Sequence, residues 1–191
     1  VLALGESSYA EQPGYIHELE LPTSQMALAK AAITKGKPVV LVMVQGRPRI
    51  IEPIVEGSKA ILLAYRPGKM GAKAIVQTLF GDNNPSGVLP FTYPRFSGDI
   101  MTYDHPVSAA VTQREMGNVT YDAFDPQWTF GHGLSYTQFA ISPPILEKTQ
   151  FVIGDPVKVT VKVKNVGNRF GKKAIDLYVR DHVASDSPVV K

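Results

Sequence analysis

Residues 38–44 read Pro38-Val39-Val40-Leu41-Val42-Met43-Val44, and residues 60–65 read Ala60-Ile61-Leu62-Leu63-Ala64-Tyr65. Neither run alternates apolar with polar residues, as a strand with one wet face would, since successive side chains point to opposite faces of a sheet. Continuous apolar runs of this length suit strands covered on both faces, as in parallel sheets flanked by helices. Upstream, residues 1–4 (VLAL) form a third short apolar run. Between it and residue 38, residues 21–35 predict a helix. Pro22-Thr23-Ser24 offers an N-cap region, Met26, Leu28, Ala29, Ala32 and Ile33 make the apolar stripe, and Gly36 stops it. Residues 53–57 predict a short helix, and residues 70–80 predict a longer one ending in Gly81. Strands and helices in strict alternation argue for an α/β layer fold with a mostly parallel sheet.

Beyond this frame the pattern changes twice. Residues 82–140 are rich in Asn, Pro, Gly, Tyr and Asp and lack periodicity, which in a compact domain marks functional or bridging loops. From about Glu147 onward, Val157-Lys158-Val159-Thr160-Val161-Lys162-Val163-Lys164 alternates strictly. That predicts a half-buried antiparallel strand, with residues 165–171 as a turn and residues 174–180 as its return strand. Residues 141–191 are too few to close a β-sandwich, which takes roughly 100 residues.

The composition excludes several classes. Of the 191 residues 44% are hydrophobic and 19% charged, so the chain can bury a core and is not compositionally disordered. The net charge of +3 is spread without a basic run, so no nucleic-acid footprint is present. No apolar stretch approaches the ~20 residues of a membrane span. Cysteine is absent, so no disulfide clue to compartment exists. Val1-Leu2-Ala3-Leu4-Gly5 opens as a strand cut in the middle, and Pro188-Val189-Val190-Lys191 stops as an apolar segment begins; both ends are expected to be cuts through a longer chain.

Candidate chemistry gathers in the first loop, Gly5-Glu6-Ser7-Ser8-Tyr9-Ala10-Glu11-Gln12-Pro13-Gly14-Tyr15. In an open α/β sheet the site lies beyond the C-terminal ends of the strands, and this loop directly follows residues 1–4. Pro13-Gly14 makes a turn that presents Glu11 at a loop tip. Glu6 abuts the strand, either orienting the loop or a substrate hydroxyl, or anchoring the strand end. Arg47, in Gly46-Arg47-Pro48, leaves the same sheet edge and is expected to pair with Glu6 or another buried carboxylate. Tyr9, Tyr103, Tyr121 and Trp128 offer aromatic faces that either pack or stack on a ligand, and Tyr103-Asp104-His105 is the best accessory group in the long loop. Histidine spacing supports no metal site, and no G-x-S-x-G elbow, G-x-G-x-x-G or Walker loop is present. Asn118-Val119-Thr120 is a formal glycosylation sequon of a kind frequent by chance.

Several segments together resemble the second domain of glycoside hydrolase family 3. They are the Lys37-Pro38-Val39-Val40 run into Gly46-Arg47-Pro48; then Tyr65-Arg66-Pro67-Gly68; then Leu79-Phe80-Gly81-Asp82-Asn83-Asn84-Pro85-Ser86-Gly87-Val88-Leu89-Pro90; and finally Phe130-Gly131-His132-Gly133-Leu134-Ser135-Tyr136-Thr137-Gln138-Phe139. Residues 157–180 look like the fibronectin-III-like domain that follows in many members. The departures are Lys69-Met70-Gly71-Ala72, His132 where Tyr is frequent, and the absence of the family's first domain, a barrel carrying an aspartate nucleophile.

The resemblance implies a three-layer α/β sandwich, in part, over residues 1–94, a long loop and linker over 95–140, and the start of an antiparallel fibronectin-III-like β-sandwich over 141–191. It implies a fragment of a retaining, exo-acting β-glycosidase, foremost a β-glucosidase, with no cofactor and no metal. Glu11 would be its acid/base, and Glu6, Tyr9, Arg47, Tyr103 and His105 would bind substrate or support the site. The substrate would be a β-linked oligosaccharide or glucoside, and the partner the barrel domain of the same chain. A homodimer through the long loop, and a secreted or periplasmic location, are further expectations. The alternatives are a β-xylosidase or other family specificity, and a non-catalytic carbohydrate-binding or structural module.

Overall fold

A computed structural model describes residues 1–11, 14–99 and 125–179, and between the last two stretches the backbone of short strands at 114–116 and 119–121. Three strands, β1 (Leu2–Gly5), β2 (Val40–Val44) and β3 (Ala60–Leu63), form one parallel sheet in the order β1-β2-β3. Helix α1 (Thr23–Thr34) connects β1 to β2, and α2 (Glu52–Val55) connects β2 to β3. α1 lies against α2, with Ile33 filling the space above Gly57. Helix α3 (Gly71–Phe80) follows β3. The α/β alternation and the parallel neighbours expected from residues 38–44 and 60–65 are therefore present.

β2 is the central strand, and Leu41, Val42 and Met43 are buried on both of its faces. Leu41 and Met43 share a core with Leu4, Leu21, Ala29, Val39, Ile51, Ile54, Leu89 and Tyr93. β3 departs from expectation. Ile61, Leu62 and Leu63 are only half-buried, because β3 is an edge strand facing a cavity of about 1010 Å³ lined also by residues 78–79, 81–89 and 132–136.

The helix ends follow local chemistry. Pro22, not a hydroxyl side chain, occupies the N-cap of α1, and its carbonyl accepts the N–H groups of Gln25 and Met26. Leu28, read as part of the apolar stripe, is exposed. Gln25 lies on the inner side instead, donating to the Gly5 carbonyl (2.9 Å) and accepting the Gly5 N–H (2.8 Å), so it ties the helix start to the end of β1. Gly36 (φ +69°) and Gly81 (φ +87°) take the left-handed conformation that ends α1 and α3.

Downstream, β4 (Arg114–Met116) pairs antiparallel with β5 (Val119–Tyr121). β6 (Phe139–Ile141) pairs with β9 (Val163–Asn165), and β7 (Ile145–Leu146) with β8 (Val159–Thr160), both antiparallel. This corrects the reading of residues 157–180. The alternating run is two short strands rather than one, and they pair upstream rather than with residues 174–180, where no strand is assigned among the described residues. Alternation reports which side chains share a face, not which segment pairs with it. Val157, Val161 and Val163 are exposed rather than half-buried.

Candidate active site

Each parallel strand delivers a loop to the same sheet edge, and these loops interlock. β1 runs into Glu6, whose N–H donates to the Val44 carbonyl (3.0 Å) and so extends the pairing with β2. The Glu6 side chain is only 3% exposed. Its Oε2 accepts the backbone N–H groups of Gly46 (2.9 Å) and Arg47 (3.2 Å) and the Tyr9 hydroxyl (3.0 Å). Its Oε1 accepts Arg47 Nε (2.9 Å) and lies 2.9 Å from Arg47 NH2 and 3.4 Å from Arg49 Nε. Burial pushes this carboxyl up, but the Arg47 and Gly46 N–H groups, the Tyr9 hydroxyl and the Arg47 guanidinium outweigh it and hold Glu6 below its ordinary value. The Glu6–Arg47 pair anticipated from the sequence is thus present, and Arg49 joins it unannounced.

The loop from Glu6 to Gly14 is held at further points. Arg47 NH1 donates to the Gly14 carbonyl. Arg66 NH1 donates to the Tyr9 carbonyl (2.7 Å). The guanidinium carbons of Arg47 and Arg66 lie 3.9 and 3.6 Å from the centroid of the Tyr9 ring. Two guanidinium groups therefore pack on this one ring, each within cation–π range. Gly46 makes this possible, since a Cβ there would stand 2.7 Å from the Tyr9 hydroxyl and 2.9 Å from Arg66 Nε.

Between the pinned carbonyls of Tyr9 and Gly14 stands Glu11. It is exposed, adopts φ +49°, and its carbonyl accepts the Gly14 N–H (2.9 Å), closing a turn. A non-glycine residue in the left-handed region persists only where its surroundings hold it, and such residues concentrate at functional sites. Glu11 opens onto a depression of about 650 Å³ lined by Tyr9, Gly14, Tyr15 and Arg47, in which it is the single carboxyl among the lining residues. The larger cavity beside β3 shares none of these residues.

The family model described as the glycosyl hydrolase family 3 C-terminal domain matches residues 1–136. This chain belongs to glycosyl hydrolase family 3. It is 39% identical over 203 residues to a lysosomal beta glucosidase of Dictyostelium discoideum, covering 100% of this chain and 23% of that protein. It is 34% identical over 190 residues to a beta-xylosidase of Formosa agariphila, covering 97% of this chain and 26% of that protein. The crystal structure of a beta-glucosidase from Listeria innocua in complex with glucose superimposes with a TM-score of 0.86 at 32% identity, over 100% of this chain and 28% of that one. The family 3 chain therefore spans about a quarter of the length of the curated relatives it matches.

Of the site residues expected in this family 3 chain, Glu6, Tyr9, Glu11 and Arg47 converge on one sheet edge, while Tyr103 and His105 lie outside the described residues. Trp128 packs edge-on against Tyr93 (5.2 Å) and stacks with His132 (6.1 Å), beside the core rather than in the depression. Sequence reasoning passed over Arg66, Arg49 and Gly46. The Tyr65-Arg66-Pro67-Gly68 signature at the end of the apolar run at residues 60–65 was the available signal for Arg66.

Proposed function

We propose that Glu11 is the acid/base of a retaining, exo-acting β-glycosidase that removes terminal non-reducing β-D-glucosyl residues. The observation that carries the reading is the geometry of Glu11: an exposed carboxyl in a left-handed turn, at the sheet edge where α/β folds bind ligands, on a loop pinned at the Tyr9 and Gly14 carbonyls. Protonated Glu11 gives its proton to the glycosidic oxygen as the bond to the anomeric carbon breaks. The carboxylate of a nucleophile, an aspartate in a barrel domain of the full-length chain, bonds to that carbon. Ionised Glu11 then takes a proton from water, whose oxygen attacks the anomeric carbon and frees the sugar with retained configuration. Glu6 is unsuited to this role, because its oxygens are occupied by N–H, hydroxyl and guanidinium donors. Tyr9 supports the loop rather than a sugar ring, since its ring is engaged by the Arg47 and Arg66 guanidinium groups and its hydroxyl donates to Glu6. Residues 141–191 begin a fibronectin-III-like module.

The test is azide rescue in the full-length enzyme. Glu11→Gln should lower kcat/KM for cellobiose by about 10²–10⁴-fold and spare a dinitrophenyl glucoside, whose leaving group needs no proton. Deglycosylation still needs a base, so the covalent intermediate should accumulate, and azide should restore turnover with a β-glycosyl azide as product. Rescue of Glu6→Gln and not of Glu11→Gln would reverse the assignment. A second reading, β-xylosidase, is favoured by the named activity of the Formosa agariphila relative. Comparing kcat/KM on nitrophenyl glucoside and xyloside separates the two, and inactivity on both leaves the non-catalytic module.

A further inference from the structure

Arg66 belongs to no salt bridge among the described residues, yet its exposed guanidinium is engaged at one place, the Tyr9 ring and carbonyl. The chain that delivers it is unusual. The pairing of β2 with β3 runs on to Ala64, whose N–H donates to the Met43 carbonyl (2.9 Å). The next residue, Tyr65, adopts φ +51°, a conformation that a bulky side chain avoids unless it is held. Its ring is half-buried and meets Phe91 edge-on at 6.4 Å. This turn sends Arg66 back across the strand ends to the first loop. There it stacks on Tyr9 (3.6 Å), donates to the Tyr9 carbonyl (2.7 Å) and occupies space that Gly46 leaves open.

Arg47 differs, because the Glu6 carboxylate already fixes its guanidinium. Among the described residues Arg66 therefore joins the β3 loop to the clamp on Tyr9, through the ring and the carbonyl, and Glu11 lies just beyond that clamp. We propose that Arg66 is a positioning residue for the acid/base reaction: it holds the Tyr9 ring and carbonyl, and through them sets where the Glu11 carboxyl points. The proposal rests on the assignment of Glu11 as acid/base.

The test uses the full-length enzyme with Arg66→Met and Arg66→Lys, each alone and combined with Glu11→Gln, assayed on cellobiose and a dinitrophenyl glucoside. Arg66→Met should lower kcat/KM for cellobiose by roughly 10- to 10²-fold, the size of loss that a displaced catalytic group produces, and leave the dinitrophenyl substrate little changed. Lys should recover part of the loss, since an ammonium keeps the charge but has neither a plane to stack on the ring nor a fork of donors. Added to Glu11→Gln, Arg66→Met should cost no more than about 2-fold on either substrate, because two groups acting through one step do not multiply their losses. Equal losses on both substrates, or losses that multiply in the double variant, would overturn the proposal and leave Arg66 a stabilising contact. If Arg66→Met fails to fold, Arg66→Lys is judged by the same two criteria. If Glu11→Gln itself shows no dependence on leaving group, the acid/base assignment falls and this proposal with it; if Glu11→Gln behaves as expected and Arg66 does not, only the present proposal falls.

Discussion

Glu6 and Glu11 sit on one loop in opposite surroundings. Glu6 is buried under donors that favour its charged form, and Glu11 projects from a turn. The linkage for Glu6 has a definite sign. Its value in the folded chain is depressed below the ordinary 4.5, so its contribution to stability is fully present above that value and is lost as pH falls through the folded one. Thermal unfolding followed from pH 7 to pH 3 should show Glu6→Gln less stable at neutral pH by roughly 3 kcal/mol, the cost of breaking a buried pair. The two curves should converge in acid. A constant gap across the range would mean that Glu6 contributes shape rather than charge. Gly5 is a second residue with a single acceptable identity. A Cβ there would lie 1.9 Å from the Val44 carbonyl oxygen, which is backbone and cannot swing away. Gly5→Ala should therefore destabilise by about 3 kcal/mol, the upper end for overpacking, and this is checked by urea unfolding.

Among the elements, β2 and β3 have the same kind of sequence and different energetics. Leu41, in the central strand, is fully buried, and its truncation to Ala should cost about 2–5 kcal/mol. Leu62, in the edge strand, is half-buried, and the same change should cost about 1 kcal/mol. Urea unfolding of the two variants checks the ranking; equal costs would indicate that β3 is covered in solution. The apolar runs and their helices were readable because burial on two faces leaves a continuous hydrophobic signature. Strand order left no such trace, since an edge strand beside a cavity and a central strand can carry the same run. The same limit misled the reading of residues 157–164, where side-chain alternation was clear and the pairing partner was not.

At the scale of the whole molecule, Asn84 joins the α/β layer to the strands that follow. Its amide nitrogen donates to the Phe170 carbonyl (2.9 Å), and its amide oxygen accepts the Ser135 hydroxyl (2.9 Å) and the Tyr136 N–H (2.8 Å). Tyr136 in turn donates its hydroxyl to the Thr78 carbonyl (2.8 Å) in the last turn of α3. Asn84→Ala should free the loop at 165–171 and cost about 1–3 kcal/mol. Faster hydrogen exchange at Tyr136, with the β1–β3 sheet unchanged, is the expected signature. On the proposed mechanism, the 191-residue chain alone should not hydrolyse aryl β-glucosides above background. A retaining site needs two carboxyls about 5–5.5 Å apart, and among the described residues Glu11 is the single carboxyl that lines the depression. Robust turnover by the isolated chain would remove the reason for placing the nucleophile elsewhere.

The sequence alone determined what depends on neighbours along the chain. Three apolar runs with helices between them specify a parallel α/β layer; Gly36 and Gly81 end the helices; and the ordered motifs from Gly46-Arg47-Pro48 to residues 130–139 specify the family. It also placed Glu6, Tyr9, Glu11 and Arg47 near one another, because loops that follow parallel strands must emerge at the same edge. Tertiary structure alone decided how those residues are used. The packing of Arg47 and Arg66 on the Tyr9 ring, the left-handed turns at Glu11 and Tyr65, and the edge position of β3 arise between segments distant in sequence. A guanidinium finds its partner by position in space, and spacing along the chain does not encode that.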